Sequence, residues 1–145
     1  MKNIIYSLMM LTALFTGCGS SEPQAINYGK DLCEHCKMAI ADEKYGAELI
    51  TKKRKIFKFD SAECLMDYVN DNQEQKDGAK LYVINFAQPT NFIDATTAFY
   101  LIDKEYQSPM GGNIAPFATE MHADNNMISP DAKILSFEQA LASRK

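Results

Sequence analysis

The stretch "KIFKFDSAECLMDYVNDN", Lys55–Asn72, contains the clearest structural pattern in the chain. Its first six residues include aromatic and β-branched side chains that favour a strand. Its remainder has apolar residues at the i, i+3, i+4, i+7 spacing of one buried helix face, namely Ala62, Leu65, Met66 and Val69. Asp60 is predicted to cap this helix, with Glu63 three residues further on. The stretch therefore predicts a strand followed directly by an amphipathic helix.

Further strands are predicted on both sides of this unit. Tyr45–Thr51 is separated from Lys55–Asp60 by a basic turn, which predicts a β-hairpin. More strands are predicted at Lys80–Ala87, Ala98–Lys104, Asn113–Thr119 and Lys133–Phe137, and a last short helix at Glu138–Ser143. Strand pairs interrupted by helices indicate an α+β fold of small antiparallel sheets with helices.

The N-terminus predicts export. Lys2 precedes an uncharged apolar run from Ile4 to Phe15, which is shorter than the roughly 20 residues that span a bilayer. The run ends in "LFTGC", which resembles a bacterial lipobox with Cys18 as the lipidated residue. We therefore predict a lipoprotein signal peptide at residues 1–17, and a small, polar, flexible tether at residues 18–29. An ordinary signal peptide or an uncleaved anchor are the alternatives.

Length and charge exclude some functions. Removal of residues 1–17 takes the formal charge from −4 to −5, since Lys2 is the only charged residue removed. The remaining chain suits one compact domain. A mildly acidic chain whose only basic cluster is the turn Lys52–Lys55 does not have the charge pattern of a nucleic-acid-binding protein.

The cysteines argue against a simple disulfide scaffold. The chain has four cysteines, and lipidation of Cys18 leaves Cys33, Cys36 and Cys64. An odd number of thiols cannot all pair in an oxidising compartment. Cys64 has two interpretations, a third metal ligand or an inert buried thiol. The helix pattern places it away from the predicted apolar face and in the first turn, where the helix dipole favours a thiolate. Free cysteine is nevertheless commonly buried.

Several sites can be built on "CEHCKM", Cys33–Met38. Haem attachment requires histidine directly after the second cysteine, and Lys37 occupies that position. A structural zinc site usually combines two paired knuckles, and there is no second C-x-x-C. A thioredoxin-like dithiol follows a strand in a βαβ unit, and no strand is predicted before this motif. A soft-metal site remains as the favoured interpretation, with His35 as a ligand or an orienting residue.

Methionines support a soft-metal site. Met38 lies two residues after Cys36 and belongs to no apolar stripe, whereas Met110 lies in the turn-like "SPMGG". Thiolate and thioether ligands select Cu(I) over hard ions. Methionine also fills gaps in cores, which accounts for Met66 on the predicted helix face.

These motifs together resemble the NosL family, the copper-binding accessory lipoproteins of nitrous-oxide reductase. "CEHCKM", "FDSAECLMDYV", "LYVINF", "IDATTAFYLI", "SPMGG" and "APF" occur in the family's order and approximate spacing, roughly over residues 28–137. The resemblance implies two ββαβ-like halves within a copper-binding domain at residues 30–145. Residue by residue, Cys36, Met38 and Met110 match the family's ligand candidates. Lys37 stands where the family commonly has glycine, and Cys33 and Cys64 resemble a cysteine-richer branch.

The resemblance also implies a function. It predicts a copper chaperone, not an enzyme, which is anchored by lipid on the periplasmic side of the cell envelope. It would deliver Cu(I) to nitrous-oxide reductase or another copper enzyme, together with an ABC-type maturation complex in the membrane. Two other classes stay open: a thiol-disulfide oxidoreductase that uses Cys33 and Cys36, and a structural adaptor lipoprotein in which the sulfur ligands have no role.

Overall fold

The computed structural model describes residues 21–145. The predicted signal peptide and the predicted lipidation site, Cys18, lie outside the described residues. Within residues 21–145, none of the helices has the length and apolar character needed to cross a membrane.

The first half of the domain is a four-stranded antiparallel sheet with a helix. Its elements are β1 (Ala47–Ile50), β2 (Ile56–Phe59), α1 (Ala62–Asp71), α2 (Gln73–Lys76), β3 (Lys80–Ile84) and β4 (Phe92–Asp94). The strand order is β2-β1-β3-β4, so β1 is central and pairs antiparallel with both β2 and β3. The predicted hairpin is β1-β2.

The second half repeats this arrangement with three strands. Its elements are β5 (Phe99–Ile102), β6 (Ile114–Phe117), α3 (Glu120–Asp124), β7 (Lys133–Leu135) and α4 (Phe137–Ala142). The strand order is β6-β5-β7, with the first strand central as in the other sheet. The prediction of an α+β fold with two ββαβ-like halves is therefore confirmed.

Helix α1 lies at the centre of the core. It contacts β1 and β2 of the first sheet, β6 of the second sheet, and α4. The predicted apolar face is buried, and its residues join one core cluster with side chains from both sheets and from α4: Leu49, Phe59, Tyr100 and Ile114 from the sheets, and Phe137 from α4. This helix therefore connects the two halves.

Some local predictions were wrong. The N-cap of α1 is Ser61, whose hydroxyl accepts a hydrogen bond from the backbone N–H of Cys64 at 3.3 Å. Asp60 does not cap the helix, because its carboxylate accepts a hydrogen bond from the backbone of Ala41 instead. The short elements α2, α3 and β4 were not predicted, since their sequences show neither the alternation of a strand nor the apolar spacing of a helix.

The segment before the first cysteine packs on the first sheet. Ile26 is 7% exposed and belongs to the core cluster. The backbone N–H of Gln24 donates to Oε2 of Glu48 at 2.9 Å, and the Lys58 ammonium donates to the carbonyl of Ala25 at 2.8 Å. The packed part of the chain therefore begins before residue 30, the predicted start of the copper-binding domain, because apolar Ile26 is buried in the core cluster.

Glu48 should make stability depend on pH. Its side chain is fully buried, and this burial raises its pKa from 4.5 to about 7. The native state therefore binds a proton more tightly than the unfolded state does, and stability falls as pH rises from about 4.5 to about 7. We expect Glu48→Gln to be more stable than wild type at pH 8, by at most about 1.4 kcal/mol per unit of pKa shift.

Urea unfolding of both proteins between pH 4 and pH 8 measures this difference. The two curves should converge near pH 4, where the carboxyl is protonated in both states. Glu105→Gln, at an exposed position, is the control and should show no such trend. A Glu48→Gln protein that is less stable than wild type at pH 8 would contradict the expectation.

Candidate metal centre

A short backbone loop presents the first two thiols. The backbone N–H of Cys33 donates to the carbonyl of Met38 at 2.8 Å, and the N–H of Lys37 donates to the carbonyl of Cys33 at 3.0 Å. An isolated bridge pairs Leu32 with Ala39 and closes the base of the loop. Lys37 has a positive φ of 64°, in the left-handed region that favours glycine. The chain reversal thus brings Cys33 and Cys36 to one side of the loop.

Helix α1 supplies the third thiol. Cys64 lies in its first turn and is fully buried, as is Cys33, whereas Cys36 is partly exposed. The sulfur atoms of Cys33, Cys36 and Cys64 all lie within 4.8 Å of one another. None of these three cysteines forms a disulfide. The arrangement therefore brings together three reduced thiols, from two separate segments, around a space suited to one ion.

Hydrogen bonds concentrate negative charge on Cys33. The thiol of Cys64 donates to the Cys33 sulfur, and the backbone N–H groups of Cys36 and Asp60 donate to the same atom, so the pKa of Cys33 is lowered. The same hydrogen bond to Cys33 raises the pKa of Cys64, and burial raises that of Cys36. These hydrogen bonds therefore favour the thiolate form of Cys33, which is the form that binds metals.

His35 lies between Cys33 and Cys36 in the chain, and its side chain is close to Asp67 of helix α1. Its Nε2 is 4.0 Å from Oδ2 of Asp67, and its side chain is 28% exposed. Arg144 holds the same carboxylate through two hydrogen bonds, of 2.8 Å to Oδ1 and 2.5 Å to Oδ2. A carboxylate on one side of an imidazole is a common way to orient a histidine toward a metal.

The two predicted methionine ligands have different surroundings. Met110 is partly buried and packs against the core cluster that contains Cys33 and Cys64. Met38 contributes its carbonyl to the cysteine loop, while its side chain is 48% exposed. Met110 is thus held against the protein interior, and Met38 is available at the surface next to the loop.

Sequence reasoning missed the polar residues around the thiols. Glu63 and Asp67 lie four residues apart on α1, on either side of Cys64 in the chain, and contact Ser108 and Arg144 respectively. The i, i+4 spacing of the two acidic residues was a visible signal that they share a side of the helix. Their partners are 45 and 77 residues away in the chain, and no local pattern indicates them.

The donor set fits a soft metal ion. Thiolates favour Cu(I) and Zn(II), and do not suit Mg²⁺ or Ca²⁺, which require oxygen ligands. Cys33 and Cys64 are inaccessible to large molecules, while Cys36 provides an exposed edge. The cluster can therefore hold a single soft ion that stays reachable from one side.

The fold resembles that of a protein of known structure. The crystal structure of the copper chaperone NosL from Shewanella denitrificans matches it with a TM-score of 0.70 and 24% sequence identity, over 83% of this chain and 96% of that chain. The two chains thus share one small α+β architecture, which agrees with the predicted fold class.

Sequence comparison gives the family. The copper-binding lipoprotein NosL of Stutzerimonas stutzeri is 28% identical over 145 residues, covering 90% of this chain and 76% of the relative. The sequence profile of the NosL family matches residues 24–143. This chain therefore belongs to the NosL family, as its motifs predicted. The names of both relatives describe copper-binding proteins, not enzymes.

Replacement of Lys37 by glycine should stabilise the cysteine loop. A side chain in the left-handed conformation costs about 1 kcal/mol, which glycine avoids, although glycine also increases the entropy of the unfolded chain. We expect Lys37→Gly to raise the free energy of unfolding by about 0.5 kcal/mol, measured by urea denaturation of the reduced protein.

Lys37→Ala is the matched control for this substitution. It removes the exposed ion pair with Glu34, whose atoms are 3.3 Å apart, and keeps the strained Cβ. Because an exposed pair contributes little, the alanine variant should show no gain. Equal stability changes in the two variants would show that the backbone conformation is not the cause.

Proposed function

We propose that this protein binds Cu(I) at Cys33, Cys36 and Cys64 and delivers it to an extracytoplasmic copper enzyme. The observation that carries the proposal is the convergence of three reduced thiols within 4.8 Å. Membership of a family whose relatives are named for copper binding supports the choice of metal. Softness of the donors favours the monovalent ion.

The proposed ligands have graded roles. Cys33 and Cys64, both fully buried, form the inner part of the site, and Cys36 completes it at the surface. Met110, partly buried against the same core, is the proposed thioether ligand. Met38 is a relay ligand, because its exposed side chain lies next to the loop that carries Cys36. His35, beside Asp67, orients the loop or supplies a further nitrogen.

This arrangement supports transfer by ligand exchange. The buried sulfur atoms of Cys33 and Cys64 hold Cu(I) tightly enough to suppress free copper, since hydrogen bonds stabilise the thiolate of Cys33. The exposed edge at Cys36 lets a ligand of the acceptor enter before a donor ligand leaves. Copper then passes between proteins without being released into solution.

The burial and the pKa shifts of the thiols argue against a disulfide enzyme. A disulfide enzyme needs an accessible nucleophilic thiol beside a resolving thiol. The cysteine with the lowered pKa, Cys33, is fully buried, and the more exposed Cys36 has a raised pKa. Disulfide exchange requires the thiol of lower pKa to be the accessible one, and here that thiol is buried.

Location and partners complete the proposal. The relative from Stutzerimonas stutzeri is named a lipoprotein, and Cys18 follows a predicted signal peptide in this chain. We therefore assign the protein to the periplasmic side of the cell envelope, with a lipid anchor on Cys18. Nitrous-oxide reductase is the proposed acceptor, and an ABC-type membrane complex the proposed assembly partner.

Titration with Cu(I) tests the site. Reduced apoprotein is titrated anaerobically against a Cu(I) chelator of known affinity, together with its variants. We expect Cys36→Ser and Cys64→Ser each to weaken binding by at least about 100-fold, or about 2.8 kcal/mol, because each loses a thiolate. Met110→Ala should weaken binding by about tenfold.

Met121→Ala is the matched control, since Met121 lies exposed on α3, outside the proposed site. It should leave the affinity for Cu(I) unchanged. Unchanged affinity in both Cys36→Ser and Met110→Ala would remove the proposed site. Reduction of model disulfides that requires Cys33 and Cys36, and that is as fast in Met38→Ala as in wild type, would support a redox enzyme instead.

Transfer kinetics test the relay role of Met38. Copper-loaded protein is mixed with copper-free nitrous-oxide reductase, and copper in the reductase is measured over time. Met38→Ala should slow transfer several-fold and change affinity much less, because an exposed side chain contributes little to the resting site. A large loss of affinity with an unchanged transfer rate would contradict this role.

A further inference from the structure

A buried carboxylate lies directly beside the thiol cluster. Glu63 precedes Cys64 in the first turn of α1, and its side chain is fully buried. One oxygen, Oε1, accepts a hydrogen bond from the hydroxyl of Ser108. The other oxygen, Oε2, has no hydrogen-bond partner among the described residues. Burial of a carboxylate with incomplete hydrogen bonding is costly, so core stability alone does not explain this residue.

The partner of Glu63 organises the turn that carries Met110. The Ser108 hydroxyl, which donates to Glu63, also accepts a hydrogen bond from the backbone N–H of Asn113 at 2.8 Å. The backbone N–H of Gly111 donates to the Ser108 carbonyl at 2.9 Å. Ser108 thus joins the two ends of the turn at residues 108–113 to each other and to Glu63.

Close contact at Gly112 seats the same turn on the helix. A Cβ atom at Gly112 would lie 2.8 Å from Cγ and 2.9 Å from Oε1 of Glu63, and 3.1 Å from a guanidinium nitrogen of Arg144. Only glycine fits at this distance without displacing its neighbours. The backbone of the turn is therefore in direct contact with the first turn of α1, where Cys64 lies.

We infer that Glu63 is a positioning residue that holds the Met110 turn at the thiol cluster. The inference rests on the proposed function, because it assigns Glu63 to the proposed copper site. Glu63 contacts no metal in this role. It fixes the separation between a thioether on the β5-β6 turn and a thiolate on α1, two groups that lie 46 positions apart in the chain.

The alternative is that Glu63 serves folding alone. A folding role predicts that its removal lowers stability and leaves copper coordination unchanged in the protein that remains folded. A positioning role predicts that the Met110 sulfur is lost from the copper ion. The two roles therefore differ in the coordination sphere of Cu(I).

The test is a double-mutant cycle between Glu63 and Met110. Cu(I) affinity is measured by chelator competition for wild type, Glu63→Ala, Met110→Ala and the double variant. We expect each single variant to lose about tenfold in affinity, the effect typical of a residue that supports a ligand. The double variant should bind no more weakly than Met110→Ala, because both changes remove the same interaction.

X-ray absorption supplies a second readout. The number of sulfur atoms around Cu(I) should fall in Glu63→Ala as it does in Met110→Ala. Glu63→Gln keeps an oxygen that accepts from Ser108 and should retain the wild-type sulfur number. Ser108→Ala, which removes the same hydrogen bond from the other side, replaces Glu63→Ala if that variant does not fold.

Glu48→Ala is the matched control. Glu48 is also fully buried, and its Oε1 has no hydrogen-bond partner within residues 21–145, but its Oε2 accepts from the backbone N–H of Gln24 in the N-terminal segment. Glu48→Ala should leave the copper coordination sphere unchanged.

Additive losses in the cycle, or an unchanged sulfur number in Glu63→Ala and Ser108→Ala, would overturn the inference. So would full affinity in Met110→Ala, because the turn would then hold no ligand. In each of these outcomes the dependence of binding on Cys36 and Cys64 still stands, whereas loss of that dependence would overturn the proposed function itself.

Discussion

The packing of α1 between the two sheets is the constraint on which the rest of the structure depends. Its apolar face contacts strands of both halves, and so joins side chains of the two sheets in one large core cluster. The same orientation turns Cys64 inward and places Glu63 and Asp67 beside it. The geometry of the candidate metal centre is therefore a consequence of core packing.

The centre is built from three segments that are far apart in the chain and come together only in the folded protein. The loop at residues 33–38 supplies two thiols, the first turn of α1 supplies the third, and the β5-β6 turn lies against that helix turn through Glu63. Buried polar contacts tie these segments together: Ser108 to Glu63, and Arg144 to Asp67. Such contacts cost desolvation energy, and their benefit lies in fixed geometry.

The strands and the long helix could be predicted because their patterns are local. Alternation or i, i+4 spacing of apolar residues reports directly on burial of one face, and every predicted strand is present, with bounds that differ by a few residues. The short elements escaped prediction because tertiary contacts stabilise them: β4 pairs with β3, and α3 packs on β5 and β6. The cap of α1 was misassigned because Asp60 is bound to Ala41 instead.

For the centre, the sequence by itself determined the kinds of donor: two cysteines with a histidine and a methionine in one loop, a third cysteine on a helix, and a methionine in a turn. Only the tertiary structure decided that Cys64 joins Cys33 and Cys36, that the Met38 side chain stays exposed, and that Glu63 meets the Met110 turn. The physical reason is that donor chemistry is a property of each residue. Convergence depends on contacts between segments far apart in the chain, which the packing of α1 against both sheets fixes.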